Sequence, residues 1–107
     1  MEMNNMAKSL DMKSTRFGNP HGLPSTQSGS NPEDLSLLIH ECLKIELFKE
    51  IIRTKNFSCW IKDSEGVSRE IVWENTNKLL RRPGFIGVKT GVTITAGPCL
   101  ATCYESR

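Results

Sequence analysis

The chain has 107 residues, enough for one small domain that buries roughly 60–70% of the surface its unfolded form exposes. Lys and Arg total 14 against 12 acidic residues, and this dispersed net charge of +2 argues against nucleic acid or an anionic membrane as a partner. No run approaches the ~20 apolar residues of a bilayer span, so no transmembrane segment is expected, and Met1 to Met12 lacks the apolar core and cleavage site of a secretory signal.

Met3, Met6, Ala7 and Leu10 fall at helical spacing, so Met1 to Met12 reads as the last turns of an amphipathic helix. No capping residue precedes it, as expected of a chain that starts inside an element. Lys13 to Ser30 is rich in Gly, Pro, Ser, Thr and Asn and predicts a long irregular loop, with Phe17 and Leu23 as anchors and a sharp turn at Asn19-Pro20-His21-Gly22. Asn31-Pro32-Glu33-Asp34 supplies a capping side chain, a proline at the first helical position and two carboxylates at the positive end of the helix dipole. A helix therefore starts there and runs to about Lys44, with Leu35, Leu38, Ile39 and Cys42 as its core-facing stripe and His40 off that stripe. A second helix, Glu46 to Thr54, is expected to bury Leu47, Phe48, Ile51 and Ile52 and to show Lys49, Glu50 and Arg53 to solvent.

From Asn56 the apolar period becomes two. Phe57, Cys59 and Ile61 alternate with polar neighbours and Trp60, the pattern resumes over Val67 to Trp73, and Asp63-Ser64-Glu65-Gly66 between them suits a type I turn. This predicts a β-hairpin in which Trp60 and Trp73 pack. Asn75-Thr76-Asn77 offers side chains that bond their own backbone, Arg82-Pro83-Gly84 makes another turn, and the chain then enters a second strand pair around Val88 and Leu100. In the first of these strands, alternation sets Ile86, Val88 and Thr90 on one face and Gly87, Lys89 and Gly91 on the other. The glycines would leave the face around Lys89 bare for the backbone of a ligand, the ammonium would meet a carboxylate and Thr90 would reach the ligand from an edge position; the alternative is a hairpin with an exposed lysine and glycines that only make turns.

The four cysteines, Cys42, Cys59, Cys99 and Cys103, have no Cys-x-x-Cys spacing, and only His21 and His40 are available to join them, so no metal or other cofactor is expected. Cys99 and Cys103 would lie roughly 13 Å apart on one strand face, beyond the ~7 Å Cα limit of a disulfide. All four are read as buried thiols, a bridge from Cys42 or Cys59 being the lesser alternative.

Lys89-Thr90-Gly91 is also the third signature of the active-site-serine enzymes that handle penicillin, the others being Ser-x-x-Lys and a Ser-x-Asn-like triplet. The order of motifs around it is more specific than the tripeptide. Asn75-Thr76-Asn77-Lys78-Leu79-Leu80, then Gly87 to Thr93, then Ala96-Gly97 with Cys99-Leu100 resembles the C-terminal part of the catalytic domain of serine-type D-alanyl-D-alanine carboxypeptidases, the low-molecular-mass penicillin-binding proteins. Upstream, Met3-Asn4, Ala7, Leu10, Met12, Thr15, Phe17 and Asn19-Pro20-His21-Gly22-Leu23 resemble the segment that follows the Ser-x-Asn triplet, and Asp34-Leu35 the next helix.

The resemblance implies an α+β, incomplete β-lactamase/transpeptidase-like fold over residues 1–107, helices and loop to about residue 54 and antiparallel strands from about 56. It implies that Lys89 and Thr90 bind the terminal carboxylate of a peptide ending in D-Ala-D-Ala, or of a β-lactam. Gly91 keeps the strand open, and the backbone N–H of Val92 is one of two oxyanion-hole donors. The chain departs from the family pattern in one respect. No serine has a lysine three residues on or an asparagine two residues on, so both the nucleophile and its base are missing from this sequence. Ser25, Ser28 and Ser30 lie in the loop without a lysine or histidine at a telling spacing, and His21 is expected to brace its own turn. The expectation is a fragment of a carboxypeptidase, inactive in hydrolysis alone, which keeps one wall of the active site and leaves an apolar face exposed. The alternative is a non-catalytic peptide- or protein-binding module derived from that fold. Localisation is not legible.

Overall fold

The computed structural model describes residues 1–106. The element order is α1 (Glu2–Ser9), α2 (Pro32–Cys42), α3 (Glu46–Arg53), β1 (Asn56–Lys62), β2 (Ser68–Glu74), a 3₁₀ turn (Lys78–Arg81), β3 (Phe85–Thr93) and β4 (Gly97–Tyr104). Two antiparallel pairs form, β1 with β2 and β3 with β4, so the architecture is the expected α+β.

Each start and turn signal acts through its own side chain. Asn31 caps α2 by accepting from the Asp34 N–H at 2.8 Å, and Pro32 takes the first helical position, where no N–H partner is needed. In the β1–β2 turn Asp63 Oδ1 accepts from both the Glu65 and Val67 N–H groups at 2.9 Å, and Gly66 takes a positive φ of 82°. The 13–30 loop is ordered by two tethers. Asn4 pairs with the Phe17 backbone in both directions, and the Arg16 and Gly29 backbones bond each other. A third tether comes from Asp34, which is only 5% exposed and accepts from the Ser14 N–H at 2.8 Å and the Thr15 hydroxyl at 2.6 Å. The helix-start carboxylate thus also clamps the loop.

The core is small: Ala7, Met12, Ile52, Leu80 and Ile86. Among the described residues no side chain is completely buried. α3 and the 3₁₀ turn pack on β3, and at Gly87 the strand lies so near α3 that an added Cβ would be 2.6 Å from Ile52 Cδ1. The apolar stripe of α2 behaves differently. Leu35, Leu38, Ile39 and Cys42 are half-buried and line an open cleft of about 760 Å³ between α2, α3 and the β3–β4 sheet.

Several burial expectations are corrected. Leu23 is 63% exposed and anchors nothing, because the turn it closes is held by polar bonds to Asn19 and His21. Met6 is exposed while α1 buries Ala7, and Leu47 and Ile51 of α3 face solvent while Ile52 carries the packing. Lys49 is partly covered and paired with Glu46. Trp60 is 70% exposed, since nothing among the described residues covers the outer face of the β1–β2 hairpin; Trp73 is half exposed and stacks on Phe57 with ring centroids 6.0 Å apart. The cysteines are free thiols, but Cys99 is exposed and Cys42, Cys59 and Cys103 are only half-buried: Cys59, Cys99 and Cys103 sit on two-stranded sheets with little cover, and Cys42 on α2 borders the open cleft.

Candidate functional site

β3 carries the candidate residues Lys89 to Val92. Within it Lys89, Thr90, Gly91 and Val92 stand opposite Ala101, Leu100, Cys99 and Pro98 of β4. Among the described residues β3 has a strand partner on one side only, so its other edge is unpaired. The strand does not run regularly from its start: an irregularity between Phe85 and Gly87 shifts the register.

The two glycines flanking Lys89 do different things. At Gly91 an added Cβ would meet nothing within 4 Å, so no described residue fills the space on that face. Gly87 is buried under Ile52, so the expectation that it bares the face beside Lys89 is corrected: its lack of a side chain admits α3, not a ligand. Lys89 is exposed, and its ammonium donates to the Thr90 carbonyl oxygen. Val92 is 76% exposed.

Two clefts meet at this strand. The apolar one between helices and sheet reaches Val88 to Gly91, and a second, of about 500 Å³, is walled by Thr76 to Leu79, Thr90 to Val92 and Pro98 to Leu100. Thr90 and Gly91 border both. The Asn75-Thr76-Asn77 turn is pinned as the sequence indicates: Asn75 Oδ1 accepts from the Asn77 N–H at 2.9 Å, and Asn77 Oδ1 from the Leu79 N–H at 3.1 Å. Thr76 between them has its hydroxyl 2.6 Å from that of Thr90. The sequence assigns Thr76 only to a turn; no local pattern signals a bond spanning fourteen positions.

The loop serines stand apart from this chemistry. Ser25 Oγ accepts from the Gln27 N–H, Ser28 Oγ from the Gly18 N–H, and Ser30 Oγ lies 2.8 Å from the Thr15 hydroxyl. His21 Nδ1 accepts from the Leu23 N–H, bracing its own turn. Among the described residues no three His, Cys, Asp or Glu side chains gather as a metal site, and no helix is long and apolar enough to cross a membrane.

Comparison with known proteins bears on the whole chain. The family model described as D-alanyl-D-alanine carboxypeptidase matches residues 1–106. A D-alanyl-D-alanine carboxypeptidase of Bacillus subtilis is 35% identical over 100 residues, which is 92% of this chain and 25% of that protein. A D-alanyl-D-alanine carboxypeptidase of Streptomyces strain K15 is 32% identical over 101 residues, again 92% of this chain and 35% of the relative. The crystal structure of the Streptomyces K15 DD-transpeptidase superposes with a TM-score of 0.87 at 31% identity, covering 97% of this chain and 40% of that one. The chain thus spans about a quarter to a third of the length of the curated relatives it matches. The chain therefore belongs to the D-alanyl-D-alanine carboxypeptidase family and corresponds to a part of its catalytic domain.

Proposed function

We propose that this chain forms the carboxylate-binding wall of a site for peptides ending in D-Ala-D-Ala, and for β-lactams that mimic them, and that by itself it does not hydrolyse them. The observation that carries the reading is the open face of β3 at Gly91, with Lys89 and Thr90 beside it on a strand whose edge is unpaired. An extended peptide laid along that edge pairs backbone to backbone, which supplies affinity, while the ammonium of Lys89 and the hydroxyl of Thr90 select a terminal carboxylate. A hydrogen bond to a charged group contributes about 1.5–3 kcal/mol, so the pair accounts for a clear preference over a neutral end.

The Val92 N–H is assigned to a developing oxyanion. In an acyl-transfer site a serine oxygen gives up its proton and forms a bond to the scissile carbonyl carbon, the carbonyl oxygen takes the charge, and collapse breaks the C–N bond as that proton is passed to the departing amine of the terminal D-alanine. Water then cleaves the acyl-serine. This sequence holds no serine with a lysine three residues on, so the nucleophile must be supplied by polypeptide of the kind that makes up the rest of the relatives. Without it a wall that positions the substrate has no covalent route.

The test is an equilibrium titration with a short peptide ending in D-Ala-D-Ala and with the same peptide ending in a carboxamide. The expected result is tighter binding of the free carboxylate, with the preference lost in Lys89→Met. Equal affinity for the two peptides in the unaltered chain would refute the assignment.

A further inference from the structure

The hydroxyls of Thr76 and Thr90 lie 2.6 Å apart, and only one proton can occupy the line between them. Thr90 has a single O–H. If it donates to Thr76, it has nothing left to donate to an anion; if Thr76 donates to it, its proton is free to point away. A carboxylate accepts and does not donate, so an anion held by Thr90 requires the second arrangement.

We propose that Thr76 is a positioning residue for carboxylate recognition: its hydroxyl donates to Thr90 Oγ1, fixes the Thr90 rotamer and directs the Thr90 proton to the bound carboxylate. This rests on the carboxylate reading of Lys89 and Thr90 given above. The scaffold suits the task. Asn75, on one side of Thr76, donates from Nδ2 to the Thr54 carbonyl at 3.0 Å and from its backbone N–H to the Lys55 carbonyl at 2.8 Å. Asn77, on the other side, is 5% exposed and caps the 3₁₀ turn. The backbone of Thr76 is thereby held from both flanks, while its side chain borders the same 500 Å³ cleft as Thr90, Gly91 and Val92. In an exposed strand a threonine exchanges hydroxyl and methyl by rotation about χ1; the bond from a fixed turn selects the rotamer with the hydroxyl toward Thr76. A chain of two hydroxyls also polarises the outer O–H, which strengthens its bond to an anion.

Thr76→Val keeps the shape and removes the hydroxyl, and Thr76→Ser keeps the hydroxyl. The affinity for a peptide ending in D-Ala-D-Ala is expected to fall about three- to tenfold in Thr76→Val, the range for loss of one hydrogen bond, and to return to within about twofold in Thr76→Ser. The carboxylate-over-carboxamide ratio should fall in the valine variant with it. A second readout needs no ligand: three-bond couplings to the Thr90 Cγ2 methyl report χ1, and should show one rotamer in the unaltered chain and in Thr76→Ser but rotamer averaging in Thr76→Val. A merely structural role would lower the melting temperature without averaging Thr90. Unchanged couplings in the valine variant overturn the proposal. An unaltered chain that prefers neither peptide refutes the carboxylate reading itself, and the couplings then still decide whether Thr76 sets Thr90.

Discussion

Replacing Gly87 by alanine sets a methyl group into α3. The new Cβ would lie 2.6 Å from Ile52 Cδ1 and 3.0 Å from Ile52 Cβ and Cγ1. Rotation of the Ile52 side chain can move Cδ1 but not Cβ, so relief requires β3 and α3 to separate. Ile52 is itself one of the few buried side chains, which leaves little slack around it. Forcing an extra methyl into such a contact costs about 1–3 kcal/mol. Total stability for a chain of this size is about 5–15 kcal/mol, so the loss is a large share. At roughly 4–8 °C per kcal/mol for a small domain, Gly87→Ala should melt about 10 °C lower, read by circular dichroism, with urea unfolding as a check on the energy. Gly91→Ala is the internal control: its Cβ meets nothing within 4 Å, so stability should stay within about 0.5 kcal/mol, the usual range for surface changes. Peptide binding should suffer instead, because the methyl stands on the open face. The reasoning is refuted if Gly87→Ala melts with the unaltered chain, or if the two alanines destabilise equally.

Three further outcomes follow from the geometry. Asp34→Ala leaves the Ser14 N–H and Thr15 hydroxyl without their acceptor, and should cost about 1.5–3 kcal/mol and speed limited proteolysis within residues 13–30; an unchanged cleavage pattern would contradict the clamp. The Lys44 ammonium, hydrogen-bonded to Glu41, holds that exposed carboxyl below the usual carboxylate range. Because its folded value lies below its unfolded value, the contact adds stability above the unfolded value and loses it as pH falls through the folded one. Urea midpoints of Glu41→Gln should therefore lie slightly below those of the unaltered chain near neutrality and converge with them in acid, and a gap that widens on acidification would be wrong in sign. Incubation with a penicillin should leave the intact mass unchanged, since the sequence has no Ser-x-x-Lys; a mass increase by one penicillin would reveal a nucleophile.

Local chemistry was the legible part of the fold. Asn31-Pro32 starts a helix and Asp63 to Gly66 closes a hairpin because each residue acts on a backbone within a few positions of itself. Period two located β1 and β2, and the motif order around Lys89-Thr90-Gly91 identified the family. Apolar period says which face seeks cover, but not whether cover exists. Leu47, Ile51 and Trp60 lie on the expected kinds of element and remain exposed, because no other described element packs over them. Contacts between distant positions were illegible for another reason. Asp34 to Thr15, Gly87 under Ile52 and Thr76 beside Thr90 each join residues with no shared local pattern. Gly87 and Gly91 show the limit most clearly: both are glycines two positions from Lys89, yet one admits a helix and the other faces open space.

The most direct test of the central claim is a map of backbone amide shifts while a peptide ending in D-Ala-D-Ala is added, set against its carboxamide. The account predicts shifts concentrated at Lys89 to Val92 and at Thr76 with the free carboxylate, and much weaker ones with the carboxamide. Shifts of equal size with both peptides, or shifts that leave β3 unmoved, would contradict it.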